Sequence, residues 1–210
     1  MIESTQLFGF MAIALLLVLT PGPNMIYLIS RSICQGKKAG LISLGGVVLG
    51  FVFYMLAAAL GITALLFAVP YAYDVIRILG AVYLLWLAWG AIKPNAKTLF
   101  EPQLLQQDSA KRLFLMGFAT NLLNPKIAIM YLSLLPQFIR PEQGHVFAQT
   151  LFLGFSQILV SIIINTAIVF TAGWVAVLLS RKPQWVQLQK WIMGTVLTGL
   201  AFKLLLEGKR

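Results

Sequence analysis

Apolar stretches long enough to cross a bilayer follow one another along this chain, and two of them are interrupted at corresponding places. Thr20-Pro21-Gly22-Pro23-Asn24 breaks the first, and Asn121-Leu122-Leu123-Asn124-Pro125-Lys126 breaks the fourth. Backbone at membrane depth has no water to satisfy its amides, so irregular segments survive there only when buried in protein or lining a cavity. Paired breaks of this kind point to a transporter, in which discontinuous helices form the substrate site.

Only 10% of the 210 residues are charged and 60% are hydrophobic, with a mean hydropathy of +0.88; soluble domains carry roughly 25% charged residues. The pattern is that of an all-α integral membrane protein with one transmembrane domain, residues 1–210. At about 20 apolar residues per span, six helices are predicted: Leu7–Ile33, Ala39–Phe67, Tyr71–Ile92, Leu113–Phe138, Val146–Leu179 and Val186–Leu206. In a soluble chain a net charge of +10 would suggest nucleic acid as partner. Here the basic residues are interleaved with the spans instead of sharing one face, which excludes that class. Arg31, Lys37 and Lys38, then Lys93, Lys97, Lys111 and Arg112, then Arg181, Lys182 and Lys190 occupy alternate connections. By the positive-inside rule those connections are cytoplasmic and both termini face outward, although Lys203, Lys209 and Arg210 run against that placement of the C-terminus. No positive charge precedes the first apolar run, so no removable signal peptide is expected. Cys34 is the single cysteine and permits no internal disulfide.

The polar stretch 93–112 divides the chain into repeat 1 (about 5–92) and repeat 2 (about 113–206). A shift of about 104 positions lays Thr20-Pro21 on Asn124-Pro125, Tyr27-Leu28 on Tyr131-Leu132 and Gly50-Phe51 on Gly154-Phe155. Three spans per half put the halves in opposite orientation, so the expected plan is two three-helix inverted repeats with broken first and fourth helices.

Pro21 and Pro23 lack amide donors and push their predecessors out of the helical region, while Gly22 accepts almost any backbone angle. A helix opened there presents carbonyls from its first half and amides from its second, an arrangement suited to a zwitterion. Asn24 can orient an ammonium or a carboxylate. The plainer alternative is a proline kink that only serves packing. Lys126 carries a charge deep in a span, at a cost of at least about 2.5–3.5 kcal/mol, so function is its default reading. Its partner is either the carboxylate of a substrate or a set of backbone carbonyls; alternatively it snorkels or caps the break. Asn121 and Asn124, three apart on one helical face, either read a substrate or satisfy the broken backbone. Tyr27 and Tyr131 each follow a break proline by six residues and either flank a ligand or pack. The candidate substrate-binding set is thus Pro21, Gly22, Pro23, Asn24, Tyr27, Asn121, Asn124, Pro125, Lys126 and Tyr131. Asp74, three residues from Arg77, is the best carboxylate for proton coupling, with a structural ion pair as the alternative. No catalytic set, cofactor motif or metal-ligand cluster is present: one cysteine and one loop histidine, His145, make a poor set.

The Thr20–Asn24 run, the Asn121–Lys126 run and Leu135-Pro136-Gln137-Phe138-Ile139 resemble the LysE/RhtB family of amino-acid exporters, as does Gly80-Ala81-Val82-Tyr83-Leu84. The resemblance covers nearly the whole chain. It implies efflux of amino acids or close derivatives across the bacterial inner membrane, driven by the proton motive force, with Pro21–Asn24 and Asn124–Lys126 as its motif residues. Some members have an acidic residue after the glycine of the second helix. Here Phe51 follows Gly50, which favours neutral amino acids, such as homoserine, threonine or leucine, over cationic ones. An exporter or channel for another small solute, or a structural subunit, are the other readings; whether the chain forms a homo-oligomer is left open by the sequence.

Overall fold

A computed structural model describes residues 4–20, 22–68 and 107–180, with isolated positions between 75 and 93 and between 191 and 206. Among the described residues all regular structure is helical. Most of the predicted third and sixth spans and of the linker, and Pro21, Asp74 and Arg77, lie outside these residues. The isolated positions 75–89 and 191–206 are helical, and Ala81, Ala88 and Ala201 among them join the common core.

Helix α1 runs Ser4–Leu19 and stops at the first break. Helix α2 begins at Pro23 and continues to Ala68, interrupted only at Gly36, whose φ of 86° and ψ of 168° leave the helical region. Only glycine adopts that conformation without strain. The predicted first and second spans are therefore joined through one residue, where the basic loop suggests a longer connection. Helix α3 (Ala110–Leu122) is capped by Ser109, whose side chain accepts from the Arg112 amide. After the second break the chain resumes as α4 (Pro125–Ile129). It then widens into a π turn over Met130–Leu134 and tightens into a 3₁₀ turn over Leu135–Phe138. Pro136 gives the reason: it has no amide to donate and its ring collides with the carbonyl four residues back. The predicted fourth span is thus two arms bent by 54°. Helix α5 runs Val146–Ser180 after a turn in which Gly144 takes a φ of 69°.

One apolar core joins Phe10 and Leu17 of α1, Val47 and Met55 of α2, Tyr131 and Leu134 of the π turn, and Leu153 of α5. Helix α5 is inside out relative to a helix of a soluble protein. Phe155, Leu159, Ile163 and Phe170 are exposed, whereas Gln157, Ser161 and Asn165 are buried. That is the pattern of a helix with lipid outside and a polar interior. Segments Pro23–Gly61 and Val146–Trp174 are each long and apolar enough to cross a membrane.

Helices α2 and α3 approach through reciprocal glycines. A methyl at Gly46 would land on the Phe114 carbonyl, and one at Gly117 on the Ser43 carbonyl, so neither position has room for a side chain. Gly61, by contrast, has nothing within 4 Å of such a methyl among the described residues. Gly46→Val and Gly117→Val are each expected to lower stability by about 1–3 kcal/mol or more, while Gly61→Val is neutral. Thermal unfolding of the detergent-solubilised protein checks this, and equal behaviour of the three variants would refute the close approach.

Candidate functional site

The two breaks meet. Helix α1 ends with Thr20, whose amide and hydroxyl both donate to the Leu16 carbonyl, at 3.0 and 2.8 Å. The same amide also reaches the Leu17 carbonyl, at 3.2 Å, and the carbonyls at the end of α1 are left short of helical donors, as at any helix end. Lys126, from the second break, supplies the donor: its Nζ lies 2.9 Å from the Leu17 carbonyl and 2.7 Å from the Thr20 carbonyl. The ammonium stands at the negative end of the α1 dipole, where a cation is favoured. Of the two partners considered from the sequence, substrate carboxylate or backbone carbonyls, this structure holds the carbonyls, and the lysine caps the opposite break. Gly22 makes room for it, since a Cβ there would sit 3.1 Å from Nζ.

At the second break Asn124 caps α4, its Oδ1 accepting from the Lys126 amide at 3.1 Å. The chain between Leu122 and Pro125 is not helical, so Asn121 and Asn124 do not share a face of one helix: Asn121 closes α3 and Asn124 opens α4. Asn121 lies against Gly50, where a Cβ would overlap its amide. The Leu122 carbonyl left by the break accepts from Tyr54 Oη at 2.7 Å. Tyr54 in turn stacks on Tyr131, with centroids 5.9 Å apart and planes at 17°.

A cavity of about 20 Å³, room for roughly one water, lies beside the capped α1 terminus. Asn24, Lys126, Gln157 and Asn165 give it polar walls, and Phe51 and Met130 give it apolar ones. Both side-chain atoms of Asn24 are buried without a hydrogen-bond partner among the described residues, as are those of Asn121 and the Nδ2 of Asn124. Buried polar groups are seldom left so, and of these only Asn24 lines the cavity, where its amide is open to a ligand or to water. The first amides of α2 add positive character beside Asn24. The α1 carbonyls and Lys126 on one side, and the α2 amides and Asn24 on the other, thus surround the cavity with polar groups of both signs.

Of the predicted residues, the structure brings Gly22, Asn24, Asn124 and Lys126 to this place. Pro23 starts α2 with its side chain exposed, and the side chain of Pro125 lies outside the described residues. Tyr27 points elsewhere, its Oη donating to the Leu113 carbonyl at 2.8 Å. Tyr131 is wholly buried and donates to Gln157 Oε1 at 2.6 Å. Sequence reasoning missed the α5 wall. Gln157 Nε2 donates to Ser161 Oγ at 2.6 Å, and Asn165 Nδ2 to the Ser161 carbonyl at 2.8 Å. The legible signal was three polar residues spaced by four in an otherwise apolar helix. Among the described residues no group of His, Cys, Asp or Glu is placed to hold a metal.

Comparison with known proteins identifies the relatives of the chain. The family model described as LysE type translocator matches residues 15–208. A leucine efflux protein of Enterobacter sp. (strain 638) is 27% identical over 91% of this chain and 90% of its own length. A homoserine/homoserine lactone efflux protein of Salmonella typhimurium is 30% identical over 87% and 88%. A leucine efflux protein of Klebsiella pneumoniae is 26% identical over 91% and 90%. No solved structure matches the chain.

Replacing Lys126 by Met takes the Nζ donor from the Thr20 carbonyl and leaves the Leu17 carbonyl only its longer bond from the Thr20 amide, at an expected cost of about 1–3 kcal/mol. Tyr54→Phe removes one neutral interhelical bond and is expected to cost only about 0.6 kcal/mol. Unfolding midpoints in one detergent rank the two, and a Lys126→Met protein no less stable than Tyr54→Phe would contradict the capping role.

Proposed function

Because this chain belongs to the LysE type translocator family, in which relatives are named as efflux proteins for leucine and for homoserine and its lactone, we propose that it exports neutral amino acids or close derivatives. It is a bacterial membrane transporter and not an enzyme. The observation that carries the substrate assignment is Asn24, whose amide is buried, unpartnered and set in the wall of a cavity shared with Lys126. An α-amino acid offers a carboxylate complementary to Asn24, the first amides of α2 and Lys126, whose ammonium already holds the carbonyls of α1. Phe51 and Met130 suit an uncharged side chain, and among the described residues of the cavity wall there is no acid to hold a second cationic group.

An amino acid is several times larger than the one water the cavity admits, so loading needs the packed elements to part. We assign this to alternating access between two inverted three-helix repeats, 5–92 and 113–206, joined by a linker over 93–112, in a six-span inner-membrane protein. Two left-handed glycines support the duplication, since Gly36 and Gly144 each stand where a broken helix gives way to a long continuous one. The proton motive force drives the cycle in this reading, with Asp74 as the coupling carboxylate. The whole substrate-binding set named from the sequence lies on or next to the two breaks, Tyr27, Asn121 and Tyr131 acting in it by supporting the walls.

Asn24→Leu separates binding from folding. Because the amide makes no hydrogen bond among the described residues, removing it relieves a buried unpaired polar group and leaves stability unchanged or slightly higher. Export is expected to fall at least about tenfold, equivalent to losing roughly 1.4 kcal/mol of substrate interaction. Efflux is read in cells fed dipeptides, profiling free amino acids inside and outside for the deletion strain, the restored protein and the variant. Full export by Asn24→Leu, or an identical profile in the deletion and the restored strain, would overturn the assignment.

A further inference from the structure

Between Pro23 and Gly36, α2 carries a polar stripe that starts in the cavity and ends in a buried ion pair. Asn24, Tyr27, Arg31 and Gln35 are spaced by three and four and share one helical face. Asn24 lines the cavity. Next along the stripe, Tyr27 donates to the Leu113 carbonyl of α3 and accepts from Ser43 Oγ at 3.2 Å. Arg31 lies over the Tyr27 ring, 5.4 Å from its centroid, and its Nη1 pairs with Asp108. The Asp108 carboxylate also accepts from Gln35 Nε2 at 3.2 Å and pairs with Arg112 Nε at 3.1 Å. The Asp108 amide donates to Gln35 Oε1 at 3.1 Å. The Arg31 and Asp108 side chains are 10% and 7% exposed. Asp108 directly precedes Ser109, the cap of α3. Apart from Ser43, Tyr27, Arg31 and Gln35 thus reach across to the start of α3.

We propose that Arg31, Gln35 and Asp108, seated over Tyr27, form a gate that closes the cavity toward the side of the basic connections and parts to admit substrate. Two physical points support it. First, the network ties the segment after the first break to the segment before the second, the two pieces that must separate for a path to reach Asn24. Second, a buried ion pair contributes little net stability, because desolvation nearly cancels its attraction, yet leaving one partner unpaired is costly. Such a pair defines a closed arrangement sharply and still releases readily once both charges regain water on opening. Arg112, 69% exposed on the same carboxylate, keeps a water-facing charge at the mouth of the gate.

The gate takes its meaning from the export reading but is tested apart from it. The reporter is Met25→Cys, in the cavity wall, in a protein whose only other cysteine is removed by Cys34→Ser. A membrane-impermeant maleimide is applied to oriented vesicles from either face, and labelling is scored on protein that remains monodisperse. Asp108→Asn and Arg31→Gln are each expected to speed labelling from the basic-loop face about tenfold or more by shifting a two-state equilibrium toward open; labelling from the opposite face should not rise. Arg31→Lys, which keeps the charge, is expected to label nearly as slowly as the parent. If the charge variants do not fold, Gln35→Leu removes its two hydrogen bonds to Asp108 while leaving the Arg31–Asp108 pair in place, and is expected to speed labelling several-fold from the same face. Unchanged labelling in the folded variants, or equal increases from both faces, overturns the gate. Faster one-sided labelling in a protein whose native form exports no amino acid would keep the gate and remove the export reading instead.

Discussion

The contact on which the site depends is the ammonium of Lys126 on the carbonyls of Leu17 and Thr20. Cutting a helix inside a bilayer strands carbonyls that water would satisfy elsewhere. Placing a lysine at the same depth creates a second problem, an unpaired charge. Each is the solution to the other, and Gly22 leaves the space that lets them meet. The second break is closed in the reverse sense, with Tyr54 of the first half donating to the stranded Leu122 carbonyl of the second. Loose ends in either half are therefore held by side chains of the other, and the cavity forms where the halves are stitched.

Much of this was legible in residue types that act on the backbone directly. Proline and glycine mark where helices cannot continue, and long apolar runs mark where they must, so both breaks and the extents of the second, fourth and fifth spans are close to those observed. Gly36 shows the limit. Gln35-Gly36-Lys37-Lys38 has the composition of a loop, but one residue in a left-handed conformation suffices to redirect the chain, and composition does not count residues. The spacing of Asn121 and Asn124 misled in a similar way, because a helical face exists only if the helix does.

What stayed hidden were partners without a letter of their own, or with one far away. The carbonyls that receive Lys126 and the Tyr54 hydroxyl belong to backbone, to which any residue contributes equally. Arg31 and Asp108 lie 77 positions apart, in segments that read separately as a basic loop and a polar linker. The α5 wall was visible as a four-residue spacing of Gln157, Ser161 and Asn165, but polar residues within a span also serve as ordinary interhelical glue. Only their placement around a common cavity with an unpartnered Asn24 separates the two roles.

The cross-stitching also has a consequence in time. Lys126 follows Thr20 by 106 residues, so at roughly 5–20 residues per second it leaves the ribosome about 5–20 s after the helix end it caps. During that interval the opened first span sits in the insertion machinery or the bilayer with bare carbonyls, and Tyr54 has no carbonyl to receive its proton. Biogenesis of such a chain depends on whatever shelters an unfinished membrane helix, and its earlier half becomes a settled structure only when the later half arrives.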